Sequence, residues 1–180
     1  SHLVITPYPT QYVTPWTLRD GTDIVMRPIR PEDEPLSREM LARTSEEALR
    51  VRFFSSVNVQ EIPHSTLMKF CNVDYDREVA LVAEVREAEE KRIVGGGRLI
   101  IEPDLKRAQF AVLVHDGLHG KGLGEKFVDM LIGIAQERGL EGIYGIVLTE
   151  NEKMLRLCKK MGFVSKRLPD GITRVEMKLN

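Results

Sequence analysis

Cysteine is scarce: the 180 residues include only Cys71 and Cys158. Two thiols far apart, each in a pattern that reads as helical, cannot build a disulfide framework. The expectation is a chain held together by burial in a reducing, cytoplasmic setting. No charge of one sign prevails either. Lys and Arg total 26 against 27 Asp and Glu, a formal net charge of -1, so the basic excess expected of a nucleic-acid or membrane-surface protein is missing. Long hydrophobic runs are missing too, and a stretch such as Ile143–Leu148 is far too short to span a bilayer. The first residues have neither the basic start nor the apolar core of a signal peptide. What is present is ordinary: 42% hydrophobic and 29% charged residues, too apolar for disorder and sufficient for one globular domain.

The texture changes once along the chain. Residues 1–22 carry Thr6-Pro7-Tyr8-Pro9-Thr10 and Thr14-Pro15-Trp16, extended in preference and without helical period. They read as a linker or surface arm left by an upstream region, with residues 23–180 forming the domain proper. From Asp23 a strand pattern leads to Pro31-Glu32-Asp33-Glu34, a helix start with acids in its first turn. Helical patterns follow at about 32–43, 46–54 and 64–72, then strands near 78–87, 92–102 and 106–114 joined by short polar connections, as in an antiparallel meander. Leu123, Phe127, Met130, Leu131 and Ile134 fall on one helical stripe ended by Gly139. A strand at 142–148, a helix stopped by Gly162 and a hairpin across Pro169-Asp170-Gly171 complete the chain. The order implies an α/β domain with one central, mixed and mostly antiparallel sheet flanked by helices.

The sharpest local feature is His119-Gly120-Lys121-Gly122-Leu123-Gly124, between the strand Phe110–Val114 and a helix. Clustered glycines let a ligand approach the backbone, and free N–H groups at a helix start, with the dipole behind them, suit a phosphate or diphosphate. The competing reading is a tight turn that needs glycine for geometry alone. A Walker loop is excluded because no Ser or Thr follows the lysine at the required spacing. A dinucleotide fingerprint fails on spacing and on its place after about four strands.

A second segment narrows the choice. Asn151-Glu152-Lys153-Met154, then Leu157 and Gly162-Phe163, form a helix capped by asparagine after the strand Ile143–Leu148. With the glycine loop and the opening Met26-Arg27-Pro28-Ile29-Arg30-Pro31-Glu32-Asp33, it resembles the GNAT N-acyltransferase family over about residues 23 to 179. Val51-Arg52-Phe53-Phe54-Ser55 and the arm His2-Leu3-Val4-Ile5-Thr6-Pro7-Tyr8-Pro9 look like the GNAT module of bacterial protein lysine acetyltransferases fused behind an NDP-forming acyl-CoA-synthetase-like region.

The resemblance implies a GNAT fold and acetyl-CoA as co-substrate, with no metal. It implies that Val112, Leu113 and Val114 offer backbone groups to the pantetheine arm and acetyl carbonyl. His119, Gly120, Lys121, Gly122, Leu123 and Gly124 would hold the diphosphate, and Asn151 would contact the cofactor from the next helix start. The sequence departs from the family pattern at three places. His119 stands for Gln or Arg at the head of the loop. Cys158 stands for the tyrosine acid, and is either a proton donor to the leaving thiolate or a small buried residue. Gln109 stands where a glutamate base is usual, and an amide cannot take a proton. Glu84, Glu102 or Asp116 would then replace it, or water with a weaker base would serve.

Other signals weigh less. His115 and His119 flank a loop rather than one helical face, which argues against a metal pair. Gly95-Gly96-Gly97 inside a strand marks a bulge or a close approach. Arg52 beside Phe53-Phe54 lines an acceptor groove or is a solvated arginine next to packed rings. The expected activity is acetyl transfer to a protein lysine, with an AMP-forming acyl-CoA synthetase as one candidate acceptor, by direct attack in a ternary complex. The alternatives are a small-molecule amine acetyltransferase and a regulatory acetyl-CoA-binding module with weak catalysis.

Overall fold

The computed structural model describes residues 7–179; the resemblance quoted for His2–Thr6 lies outside them. Eight strands form one sheet in the order β1-β2-β3-β4-β5-β6-β8-β7. They are β1 (Thr14–Thr17), β2 (Asp23–Pro28), β3 (Glu78–Glu87), β4 (Glu90–Ile101), β5 (Arg107–Val114), β6 (Gly142–Leu148), β7 (Val164–Leu168) and β8 (Ile172–Lys178). Every pairing is antiparallel except β5 with β6. A parallel pair cannot be joined by a tight turn, so a helix must cross over between them. That helix is α4 (Leu123–Glu137); the others are α1 (Glu34–Arg43), α2 (Glu46–Phe53), α3 (His64–Cys71) and α5 (Glu152–Met161).

The two faces of the sheet bury different stripes. On one face α4 presents Leu123, Phe127, Val128, Leu131, Ile134 and Ala135, with Met130 only half-buried at the margin. The spacing is that of a single helical stripe. On the other, α1, α2 and α3 cover Ala80, Val82, Ile93 and Leu113 with Met40, Leu41, Leu49 and Leu67. Period-two alternation along β5 therefore sends Phe110 to the first core and Leu113 to the second. A buried ion pair ties β2 to the start of α1: Arg27 donates to both Asp33 carboxylate oxygens at 2.7 and 2.8 Å, and also to Glu84 at 3.3 Å.

Two features differ from what the sequence pattern implies. The arm is not an element-free surface segment in residues 14–17: it forms β1, the outer strand beside β2, and Tyr12 and Leu18 on either side are buried in the first core. The connection carries Asp20-Gly21, a hairpin signal hidden among the prolines. The glycine run serves a bulge and a close approach at once. Register shifts between Ala83 and Glu84, and a β-carbon on Gly97 would stand 2.9 Å from Phe127 Cδ1. Gly95 and Gly97 leave room for the α4 phenyl ring against the strand, whereas a β-carbon on Gly96 would meet only Leu81 O at 3.5 Å.

Candidate active site

The site begins where β5 and β6 part. They pair only along Arg107–Gln109 with Gly142–Tyr144, and beyond that point diverge. His115 N–H donates to Val94 O on the β4 side. Successive residues in an antiparallel strand turn their backbone groups to opposite edges, so Val112 and Val114 face the gap toward β6. Val114 O receives the imidazole of His119, whose Nε2 lies 3.0 Å away. A carbonyl only accepts, so His119 is the donor.

This gap opens into a cleft of about 1020 Å³. Its walls are β5, the glycine loop, the starts of α4 and α5, and one face of α2. Gly120 and Gly122 have φ of +78° and +90°, which bulky side chains avoid, and no atom lies within 4 Å of where a β-carbon on Gly120 would be. Gly122 caps α4 without any side-chain hydrogen bond. The first amides of α4 are thus left as open donors with the positive end of the helix dipole behind them, as an anionic group requires. The residues present fit a long ligand that is extended and amide-bearing at one end and anionic at the other.

Of the residues expected to hold the cofactor, Val112, Leu113, Val114, His119, Gly120, Gly122, Leu123, Gly124 and Asn151 all line this cleft. Asn151 also caps α5, its side-chain oxygen accepting from Met154 N–H at 3.3 Å. Lys121 does not line the cleft; its ammonium is turned to Asp20, 2.7 Å away.

The residues weighed for proton transfer are placed elsewhere. Gln109 lies in the paired part of β5 between Ile100 and Tyr144, about 10 Å along the strand from Val112 at ~3.3 Å per residue. Glu102 stands beside Tyr144, and that tyrosine is shifted up, first by burial and then by the carboxylate. Glu84 is engaged with Arg27. None of the three lines the cleft. Asp116 does, and its carboxylate accepts the Ser45 N–H at the start of α2, 3.3 Å away.

Cys158 is fully buried in the first core and absent from the cleft wall. Burial pushes its thiol up to about 12, so it keeps its proton at neutral pH. This placement favours packing over acid catalysis. Cys158→Ser is expected to lower the melting temperature more than Cys158→Ala, because an unpartnered buried hydroxyl costs about 1–3 kcal/mol. The rate at saturating substrates should stay unchanged in both. Calorimetric melting beside steady-state kinetics checks this, and an acetylated Cys158 trapped during turnover would refute it.

Further contributors to the site come from α2 and from the arm. Arg50 on α2 makes ion pairs of 2.9 Å with Glu47 and with Glu150 on the β6–α5 loop, tying the two sides of the cleft together. Ala48 and Val51 give α2 an apolar wall. Arg19 reaches the glycine loop from the arm. Such pairings join distant segments, and local periodicity does not encode them.

A splayed parallel strand pair, with a glycine-rich anion loop at the crossover helix, defines an acyl-CoA-dependent transferase fold. The chain belongs to the GNAT acetyltransferase family: the model of the acetyltransferase (GNAT) domain matches residues 23–164. It is an acetyl-CoA-dependent acetyltransferase of that family. Acetyltransferase PA5475 of Pseudomonas aeruginosa is 31% identical over 159 residues, covering 88% of this chain and 84% of that protein. Acetyltransferase Pat of Mycolicibacterium smegmatis is 27% identical over 174 residues, covering 96% of this chain. The chain spans about half (49%) of the length of that second curated relative. Among solved structures, the GNAT domain of S. lividans PAT superposes with a TM-score of 0.85 at 25% identity, over 96% of this chain and 100% of that domain.

Proposed function

We propose that the acceptor is a lysine side chain of another protein. What supports this is the match to the S. lividans PAT domain over that domain's whole length, with this chain covered to 96%. The cleft suits such an acceptor. A lysine offers an apolar four-carbon stem, for which Ala48, Val51 and Leu113 provide a wall.

Acetyl-CoA supplies the activated acyl carbonyl when bound. Val112 and Val114 N–H are the donors turned toward the gap and available to its oxygen, and oxyanion donors of this kind usually contribute the largest single part of catalysis. The acceptor ammonium has a reference pKa of about 10.4 and must first lose a proton. Asp116, alone among the acids weighed from the sequence, lines the cleft, so it or a water on it takes that proton. The neutral amine then attacks; the new C–N bond replaces the C–S bond, the nitrogen gives up its second proton to solvent, and the CoA thiolate leaves to be protonated by solvent. In this reading the enzyme is cytoplasmic, and the segment ahead of β1 leads from an upstream synthetase-like domain.

Incubating the chain with labelled acetyl-CoA and a bacterial lysate, followed by mass spectrometry, is expected to show acetylation at discrete protein lysines above the non-enzymatic background. Free polyamines and amino acids should turn over far more slowly. Rapid turnover of a small amine with no modified protein would assign the chain to small-molecule acetylation. CoA binding without release of product to any amine would make it a binding module.

A further inference from the structure

The family match begins at residue 23, yet the cleft wall includes a cation that precedes it. Arg19 sits at the tip of the β1–β2 hairpin, where Leu18 N–H bonds to Thr22 O and Gly21 N–H bonds to Leu18 O. Its backbone N–H donates to Lys121 O inside the glycine loop. Its side chain lies across the same loop: a β-carbon on Gly122 would be 3.4 Å from Arg19 Nε. The hairpin is held from the other side as well, with Lys126 Nζ 4.1 Å from the Trp16 ring centroid.

Besides the Lys121–Asp20 pair, the charges at this end of the cleft meet at one acid on its wall. Glu125, in the first turn of α4, accepts from Arg19 at 3.3 Å and from Lys160 at 2.9 Å. It stands beside the uncapped amides of α4 and neutralises the cations that surround them. A diphosphate placed at those amides would meet the carboxylate as a like charge, and the same two cations would be its natural partners. A planar guanidinium matches phosphate oxygens in a two-pronged geometry better than an ammonium does.

We propose that Arg19 is a cofactor-binding residue that reads the diphosphate of acetyl-CoA, exchanging Glu125 for phosphate oxygens when the ligand enters. The binding site then extends into the segment ahead of the family domain. The inference rests on the chain's use of acetyl-CoA, and wild-type calorimetry with CoA tests that premise separately. Arg19→Ala should weaken CoA and 3′-dephospho-CoA about equally, by about tenfold, the effect of losing one charge-assisted hydrogen bond. Pantetheine, which has no phosphate, should bind unchanged. Glu125→Gln should act in the opposite direction and tighten CoA, since it removes the competitor for Arg19 and Lys160. Circular dichroism melting verifies that both variants are folded. If both substitutions weaken CoA, the Arg19–Glu125 pair is a structural strut and the proposal fails. It fails also if Arg19→Ala leaves the CoA affinity unchanged, or if the loss is confined to CoA and spares the dephospho form, which would move Arg19 to the 3′-phosphate.

Discussion

Gly124→Val is expected to lower acetyl-CoA affinity at least tenfold, ~1.4 kcal/mol, in a chain that still folds. The position separates binding from backbone strain. Gly124 is not among the positive-φ glycines, and a β-carbon there would meet Leu157 Cδ2 at 3.5 Å and Val114 Cγ2 at 3.9 Å, both ordinary contacts. The two methyls beyond it would stand over the open amides at the start of α4, on the cleft wall. Gly122 makes a poorer probe, because its φ of +90° would burden any larger residue with backbone strain of about 1–2 kcal/mol whatever the ligand does. Calorimetric titration of a cooperatively melting Gly124→Val variant settles the point. Unchanged affinity would place the diphosphate away from α4.

Phe127→Ala should be the most damaging single change to stability. The ring is fully buried between α4 and β4, and losing such a phenyl group typically costs about 3–5 kcal/mol through lost transfer energy and an unfilled cavity. Its seat is made by absence: β-carbons on Gly95 and Gly97 would come within 3.0 and 2.9 Å of it. Gly97→Ala alone should therefore overpack, costing about 1–3 kcal/mol. In the Phe127→Ala background the same methyl has room, and its cost should vanish. Chemical denaturation of the four species closes a double-mutant cycle, with a coupling energy of about 1 kcal/mol or more. Simple additivity would show that ring and strand do not share this space.

The elements were largely legible because each carries its own period and stop signal. The α4 stripe, the Asn151 cap and the Gly162 stop are local statements, and they appear where the pattern implies. The cleft wall was legible for the same reason, since strand, loop and helix start are contiguous from Val112 to Gly124, with Lys121 alone of the residues expected there turned away from it. What could not be read was relative depth along and across the sheet. Gln109 sits in the right strand, yet only the register with Tyr144 shows that it precedes the divergence of β5 and β6. Cys158 has the right helical spacing, and only packing shows that it faces the core. β1 was hidden because its proline, Pro15, and its exposed residues mimic a linker, although proline is at home on an outer strand.

The brief pairing of β5 with β6 has a mechanical consequence. The five strands before α4 and the three after it are each continuous ladders, but ladder pairing between the two panels is confined to Arg107–Gln109, with one further bond from Glu141 N–H to Lys106 O and the Phe110–Phe163 ring contact beside it. Beyond these contacts, load across the seam is shared by α4, the Arg50 tether and whatever fills the cleft. A ligand seated there acts as a rivet between two panels. At a hundredfold excess over its dissociation constant it adds ~2.7 kcal/mol to the folded state, and it does so along the line where the sheet is weakest.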